Sequence, residues 1–341
     1  VVLGFLEEAK HWRLLPPQFP SKVGGRPAWL SQRNLPSPHE LECEVCRLPM
    51  AFLLQVYAPI FGLERSFHRT VFVFCCKTDK CYTCNNNSCI KVFRSQLPRR
   101  NEFYPFNPPP DHSMLLSGLK LCWVCGCLGN KACSRCHMVT YCGKHHQTVH
   151  WKHTHKKECS SPDLVQHSVL LIPGLKLQFV FSVCVETTTV KTSPFLFREY
   201  ELVTEPEEEE VDEAEIDTTV VEEERSALHS SIVGCNKIQV YKMSQMSIHL
   251  MLFCDIQVLR YSRGGSPLWV SSQHIPSDND IPLCTCGAPR CFEFQVMPQL
   301  LNSLSVDSMG MSIDWGTLAV YTCSVSCNQG DRYISEFIWK Q

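Results

Sequence analysis

A thirteen-residue phrase that occurs twice constrains the fold of this chain more than any other feature. Residues 24–36 read GGRPAWLSQRNLP and residues 264–276 read GGSPLWVSSQHIP, so both fit GG-x-P-x-W-[LV]-S-x-x-x-[LI]-P. The same spacing of 240 residues separates Cys46 from Cys286. A repeat of this length is typical of one supersecondary unit used twice. We therefore expect two related units that flank the rest of the chain.

The repeated units are predicted to consist of β-structure. Apolar runs rich in Phe, Val and Leu, such as Phe52–Tyr57 and Val71–Phe74, are typical of strands. We expect a first unit over residues 1–103 and a second unit over residues 256–341. Because the two units share a pattern, we expect them to pack against each other with approximate twofold symmetry.

The chain holds 22 cysteines in 341 residues, and their spacing favours zinc over disulfides. Disulfide frameworks are typical of secreted proteins. The N-terminal sequence VVLGFLEEAKHWRLLPPQFP has no basic flank, sustained apolar stretch or small-residue cleavage site, so we expect no signal peptide. The cysteines fall in close pairs with histidines nearby, and paired soft ligands at short spacing are how Zn²⁺ is held.

A dense cysteine and histidine block lies between the two units, and we expect it to form a zinc finger over residues 119–160. Its ligand candidates are Cys122, Cys125, Cys133, Cys136, Cys142, His146, His155 and Cys159. Four pairs supply eight ligands, enough for two tetrahedral zinc ions with no open position, which predicts structural rather than catalytic sites. Cys127 falls outside the spacing, and His145, His150 and His153 are expected at the surface.

Each unit adds two cysteine pairs that could form a site of the zinc-ribbon type. The candidate ligands are Cys43, Cys46, Cys76 and Cys81 in the first unit, and Cys284, Cys286, Cys323 and Cys327 in the second. The alternative is that these thiols are buried without a metal. In the first unit Cys75, Cys84 and Cys89 compete as ligands, and Cys291 has no partner in the pattern of the second.

A strongly acidic stretch divides the charge of the chain. Residues 199–224 hold 14 Asp or Glu and no Lys or Arg, which leaves 20 acids against 32 bases elsewhere. Such a composition cannot bury enough apolar area to fold, so we expect this stretch to be a disordered linker. The alternative is an electrostatic mimic of nucleic acid that shields a basic client protein. The region 199–255 thus comprises the acidic linker and an apolar, Met-rich segment over 226–255 to which the sequence assigns no structure. Residues 161–198 carry short apolar stretches, predicted as strands of uncertain pairing.

Several phrases resemble the family of programmed cell death protein 2, among them FPSKVGGRPAWL, FLLQVYAPI, VFRSQLPRR, QVLRYSRGGSPLWVS, CTCGAPRCFEFQVMPQLLN and SIDWGTLAVYTCSVSC. The cysteine and histidine block resembles the MYND zinc finger. That resemblance implies interleaved sites, one with Cys122, Cys125, Cys142 and His146 and the other with Cys133, Cys136, His155 and Cys159. It also implies a groove for proline-containing peptides that is lined by Trp151. Residues 226–255 depart from the family, which has a charged helical segment there.

The resemblance implies a non-enzymatic protein of nucleus and cytoplasm that takes part in ribosome biogenesis as a chaperone of a small-subunit ribosomal protein. The alternative is a nuclear adaptor whose finger recruits corepressors. We expect no enzyme, since the chain has no SET-type motif, G-x-S-x-G elbow, phosphate-binding glycine-rich loop or H-E-x-x-H pair. Neither sequence-specific nucleic-acid binding nor a membrane span is expected.

The predicted fold class is therefore mixed and β-rich. It combines duplicated zinc-stapled β units with pseudo-twofold symmetry, an inserted small α/β MYND finger and a disordered acidic linker. The predicted cofactors are two zinc ions in the finger and one in each unit.

Overall fold

The computed structural model of the chain describes residues 1–108, 119–159, 195–207, 257–304, 306 and 313–341. Within these ranges the strands are β1 (Val2–Glu7), β2 (Lys22–Val23), β3 (Ala51–Tyr57), β4 (His68–Cys75), β5 (Ile90–Leu97), β6 (Lys131–Ala132), β7 (Thr140–Tyr141), β8 (Tyr200–Pro206), β9 (Leu259–Tyr261), β10 (Arg290–Val296), β11 (Leu318–Cys323) and β12 (Ile334–Lys340).

The helices of the described ranges are short. They are α1 (Lys144–His150), a π-helical turn (Trp151–His155), α2 (Lys156–Glu158), α3 (Leu300–Ser303) and single 3₁₀ turns at His11–Leu14, Pro16–Gln18, Glu64–Ser66, Asp79–Cys81 and Asp278–Asp280. In this part of the chain no helix combines the length and the apolar character that a membrane crossing would need.

Ten strands close into one antiparallel barrel in the order β1-β8-β2-β3-β4-β5-β12-β11-β10-β9, and β6 and β7 form a small separate hairpin in the finger. The first unit supplies the run β2 to β5 and the second unit the run β9 to β12. The two runs meet where β5 pairs with β12, with Arg94 opposite Ile334 and Val92 opposite Glu336. The β-rich prediction is confirmed, and the units form one closed sheet.

Two further strands, β1 and β8, lie between β2 of the first unit and β9 of the second and close the barrel. β1 of the first unit pairs with β9 of the second, and β8 pairs both with β1 and with β2 of the first unit. β8 corrects the prediction that the acidic linker begins at residue 199. The first acids of this stretch are paired, since Glu199 binds Lys22 and Glu201 lies 2.8 Å from Arg13, while Leu202 is buried. Residues 208–255, with the rest of the predicted linker and the unassigned segment, lie outside the described residues. Of the strands predicted over 161–198 only residues 195–198 are described, and they form no strand.

The outer faces of the two runs differ in burial. β4 is buried at every position and β3 at all but its last, so both faces of this sheet are covered. β12 instead alternates, with Ile334, Glu336 and Ile338 buried and Phe337 and Trp339 half-buried. A strict alternation of this kind is typical of an antiparallel sheet with one solvated face.

Local details recur at the repeat spacing of 240 residues. The pairing of β3 with β4 shifts register between Phe52 and Leu54, and that of β10 with β11 shifts between Phe292 and Phe294. The Gln55 side chain bonds the backbone N–H and carbonyl of Ala28, at 2.9 and 3.3 Å. The Gln295 side chain bonds Leu268 in the same way, at 2.7 and 3.0 Å. The repeated phrase is thus held against its strand identically in both units.

Fully buried ion pairs cross the barrel interior between the units. Arg69 of β4 makes a bidentate pair with Glu293 of β10, at 2.7 and 2.9 Å, and neither side chain is exposed. Arg94 of β5 lies 2.7 Å from Glu336 of β12, again with no exposure. Burial opposes ionisation of Glu293, but the charges of Arg69 and Arg263 and the hydrogen bonds from Arg69 and Thr322 together outweigh it and lower the pKa of this carboxyl to about 2. The arginines come from the first unit and the glutamates from the second.

Candidate metal centres

Four clusters of cysteine and histidine occur in the described part of the chain, and in each the ligand atoms lie within 4.8 Å of one another. The clusters are Cys43, Cys46, Cys76 and Cys81; Cys122, Cys125, Cys142 and His146; Cys133, Cys136, His155 and Cys159; and Cys284, Cys286, Cys323 and Cys327. The structure thus brings together all sixteen side chains that the sequence singled out as ligands, in the sets expected.

The spacing of the sulfur atoms fits tetrahedral zinc. The Sγ–Sγ distances are 3.6 Å for Cys46–Cys76, 3.9 Å for Cys125–Cys142, 3.8 Å for Cys133–Cys159, 3.6 Å for Cys284–Cys327 and 3.7 Å for Cys286–Cys323. Zinc–sulfur bonds of about 2.3 Å at a tetrahedral angle place two sulfurs roughly 3.8 Å apart. A disulfide would require about 2.05 Å, so these pairs are not disulfides.

The two histidines of the finger reach their clusters through different ring nitrogens. Nδ1 of His146, in α1, lies 3.1 Å from Cys142 Sγ and 3.5 Å from Cys122 Sγ. Nε2 of His155, in the π-helical turn, lies 3.5 Å from Cys136 Sγ. These atoms carry lone pairs that suit zinc, and the arrangement matches the interleaved sets that the MYND resemblance implied.

One thiol in several clusters is already biased towards the thiolate. Burial raises the pKa of Cys133, but the backbone N–H groups of Cys136 and Arg135 outweigh it and lower that pKa to about 6. For Cys284 burial is likewise outweighed, chiefly by the backbone N–H of Cys286, and the pKa falls to about 7. Since the thiolate is the metal-binding form, these sites are prepared for a cation.

The structure resolves the competition among the extra cysteines of the first unit. Cys75 ends β4 and is adjacent to the ligand Cys76, so the two side chains point to opposite sides of the extended backbone. Cys75 is fully buried, and burial raises its pKa to about 12. Cys84 is exposed, and neither it nor Cys89 joins a cluster. In the second unit Cys291 is also outside the cluster and contacts the Arg263 guanidinium at 2.9 Å.

One histidine expected at the surface is buried. His150 is 7% exposed, its Nδ1 lies 2.9 Å from the Tyr141 hydroxyl, and its ring is stacked between Trp123 and His155. It therefore supports the finger rather than facing solvent. Trp151, the predicted peptide-binding residue, is half-buried and packs edge-on against His155 with ring centroids 5.8 Å apart.

The finger is docked on the first unit through the repeated phrase, which the sequence did not reveal. The Trp29 indole N–H donates to the Gly126 carbonyl at 2.8 Å, and Arg26 donates to the carbonyls of Trp123 and Val124. A side chain at Gly126 would press on Arg26, so the zinc-binding turn approaches as closely as glycine allows. One difference between the two copies of the phrase could have indicated this contact, because the second copy has Ser266 at the position of Arg26.

Comparisons with known proteins extend over the whole chain. Residues 1–111 match the N-terminal domain and residues 249–341 the C-terminal domain of programmed cell death protein 2, and residues 122–159 match the MYND finger. Programmed cell death protein 2 of Bos taurus is 45% identical over 99% of this chain and 95% of its own length. Programmed cell death protein 2-like of Homo sapiens is 27% identical over 90% of this chain and 85% of its own.

A shorter match covers part of a fungal protein. Probable 20S rRNA accumulation protein 4 of Schizosaccharomyces pombe is 40% identical over 83 residues, which are 21% of this chain and 20% of its own. No solved structure matches. The full-length likeness at 45% identity and the matches to both terminal domains agree with the architecture described above. The chain belongs to the programmed cell death protein 2 family.

Proposed function

We propose that this chain is a non-enzymatic zinc protein that escorts a basic small-subunit ribosomal protein into ribosome assembly, in cytoplasm and nucleus. The observation that carries the proposal is that each of the four cysteine-rich clusters is a closed set of four protein ligands. Closed Cys and Cys/His sets fix a fold and leave no position for substrate. The metal then stabilises a rigid scaffold whose surfaces bind other proteins.

We infer four zinc ions, two in the finger and one in each unit, within a duplicated platform of approximate twofold symmetry. Two observations support the duplication. When the units are exchanged, the strand order of the barrel reads the same in the opposite direction. The β-bulge and the contact of Gln55 with Ala28 also recur at the repeat spacing in Gln295 and Leu268.

Charge and one relative favour a ribosomal client. A ribosomal protein is strongly basic, and the ten acids of residues 208–224 would screen such a client until rRNA displaces it. The fungal relative is named for the accumulation of 20S rRNA. A protein that holds a basic small-subunit component before assembly would serve the same process.

The decisive experiment is affinity capture of the tagged, zinc-loaded full chain from cells, with quantitative mass spectrometry of what it retains. We expect one small-subunit ribosomal protein to be enriched over a tagged basic control protein of similar size and charge. Equal recovery of many basic proteins, or none, would contradict the proposal.

A Trp151→Ala variant separates the escort from the adaptor function. On the escort proposal the ribosomal protein is retained by this variant, because the finger's peptide groove is not the client site. If the variant loses its partners and those partners carry proline-rich motifs, the chain is a MYND adaptor instead.

A further inference from the structure

The two copies of the repeated phrase differ in what covers them. In the first unit Trp29 is 2% exposed and Leu35 is 8% exposed. Their counterparts at the repeat spacing are Trp269, which is half-buried, and Ile275, which is 45% exposed. Among the described residues, the repeated phrase is therefore covered by other parts of the chain in the first unit and is more exposed to solvent in the second.

Two elements cover the phrase in the first unit. The Gly126 carbonyl of the finger accepts the Trp29 indole N–H at 2.8 Å, and the Tyr333 ring packs edge-on against Trp29 at 5.1 Å. Among the described residues the indole N–H of Trp269 has no such acceptor. The second unit thus presents the same docking side chain without an occupant.

A cluster of aromatic rings surrounds this second tryptophan, in which Phe292 and Tyr321 are buried and Trp269, Phe337 and Trp339 are half-buried. We call these five residues the second-unit aromatic face. Successive ring centroids lie 5.9 Å apart from Phe292 to Tyr321, 6.1 Å to Phe337 and 6.4 Å to Trp339. These rings form a row across β10, β11 and β12 and belong to a cluster separate from the main core.

The second-unit aromatic face is held in place before any partner arrives. The Trp339 indole N–H donates to the His274 carbonyl at 2.8 Å. The Gln341 side-chain oxygen accepts the backbone N–H groups of Val270 and Ser271, at 2.8 and 3.1 Å. A surface fixed in this way loses little conformational entropy on binding, which favours its use as a docking site.

A groove continues from the face along the junction of β5 and β12. Its volume is about 570 Å³, and its lining includes Phe337 on one side and Glu40 and Glu44 on the other. Lys91 also lines the groove and lies 3.4 Å from Glu44, whose side chain remains 56% exposed. The groove therefore joins an apolar wall to carboxylates.

Acidic residues also border the opposite side of the face. Ile281 packs against the aromatic cluster, and the exposed Asp278 and Asp280 immediately precede it. The base that lies closest along the chain, Arg290, is engaged by Glu336 at 2.9 Å. The complement of this surface is a positively charged segment with an apolar anchor.

We propose that the second-unit aromatic face and its groove dock a lysine- or arginine-rich segment of the client, which places an apolar side chain against the half-buried rings of Phe337 and Trp339 and offers a backbone carbonyl to Trp269. This inference rests on the proposed function, because the basic client is the occupant that it assigns. The docked finger turn on the first unit is the internal precedent for such an occupant.

Site-specific photocrosslinking of the zinc-loaded full chain tests the placement. p-Benzoylphenylalanine is incorporated in place of Phe337, or as a control in place of Phe61, which is 95% exposed and lies in the first unit. The probe is the protein fraction of small ribosomal subunits, extracted free of rRNA. We expect a crosslink to one basic protein from position 337 and none from 61. A crosslink to a second copy of the chain, or to the chain itself, overturns the proposal.

Point variants give an independent measure with the same probe. We expect Phe337→Ser and Asp278→Lys each to lower the retained client about tenfold, since central aromatic and charged contacts dominate such interfaces. The matched controls Phe61→Ser and Glu64→Lys alter an exposed aromatic and the first acid of a 3₁₀ turn in the first unit. If the wild-type chain retains a client that all four variants also retain, the docking proposal fails while the escort function stands. If the wild-type chain retains none, both fail.

Discussion

At the scale of single residues, the most consequential contact is the buried pair of Arg69 and Glu293. We expect Glu293→Gln to lower the free energy of unfolding by about 3–5 kcal/mol, because it leaves the Arg69 charge buried without its counter-charge. Urea unfolding followed by tryptophan fluorescence measures this. The control is Arg13→Ala, which breaks a half-exposed pair with Glu201 and should cost less than about 1 kcal/mol. Equal effects of the two variants would refute the assignment.

A second residue makes the barrel sensitive to pH. Burial and the Arg99 charge lower the pKa of His68 from 6.5 to about 4, and its Nδ1 lies 3.0 Å from the Tyr57 hydroxyl. Because the folded-state pKa is the lower one, a falling pH protonates the unfolded chain first. The contribution of His68 to stability is therefore complete above pH 6.5 and declines as the pH falls towards 4.

The measurement is the free energy of unfolding between pH 6.5 and 5.0 for the wild-type chain and for His68→Phe, which preserves the stacking on Phe19. We expect the wild-type value to fall more steeply than that of the variant. Parallel curves would show that His68 is not protonated preferentially in the unfolded chain.

At the scale of elements, the repeated phrase offers a matched pair of substitutions. Trp29→Phe removes the hydrogen bond to Gly126 and leaves a buried carbonyl without its donor, which costs about 1–3 kcal/mol. We expect faster amide hydrogen exchange over residues 121–129 with unchanged zinc content. Trp269→Phe changes the same position of the second phrase, where no described residue accepts the indole N–H, and should leave exchange in the finger unaffected. A finger that exchanges no faster in Trp29→Phe would contradict this docking contact.

The zinc site of the second unit can be tested independently of the other clusters. We expect Cys284→Ser to lower the zinc count of the folded chain by one and to destabilise the adjacent ends of β10 and β11, since a structural site rarely survives with three ligands. Native mass spectrometry of the whole chain gives the count. Cys291→Ser is the control, because this thiol lies beside the cluster but outside it and its loss should leave the count unchanged. An unaltered count in Cys284→Ser would remove this site from the set.

The sequence predicted the elements with local signals and missed those that depend on distant partners. Ligand spacing identified the ligand residues, because loops with close cysteine pairs fold locally around a metal, while the resemblance to the MYND finger implied its two interleaved sets. β1 and β8 were not recognised as barrel strands, since each lies beside the other only after about 200 residues of intervening chain. The acids at the start of the β8 segment have the composition of a linker, and only the contact of Glu199 with Lys22 shows that they belong to the barrel. The buried ion pairs of β4 with β10 and of β5 with β12 were not predicted, since they join residues 224 and 242 positions apart.

At the scale of the whole molecule, the barrel is closed by contacts between its two halves rather than within them. The junction of β5 with β12 and the exchange of β1 and β8 are all pairings of distant residues. The interior charges are divided in the same way, with Arg69 and Arg94 on one side and Glu293 and Glu336 on the other. The first half alone would bury Arg69 and Arg94 without their carboxylates, and each half alone would expose strand edges, which is strongly unfavourable.

This arrangement predicts that two pieces of the chain fold when they are expressed together but not when either is expressed alone. Residues 1–207 and 257–341 expressed together should form a stable, zinc-containing complex, because every strand of the barrel is retained and the division removes only residues 208–256. Either piece alone should aggregate or remain unfolded, since β5 and β12 lose each other as partners. Purification through a tag on the larger piece, followed by circular dichroism and zinc analysis, measures the outcome. The control is Glu293→Lys in the smaller piece, which places a positive charge against Arg69 and should prevent recovery. A folded, monomeric 257–341 fragment on its own would show that the second unit is an independent domain.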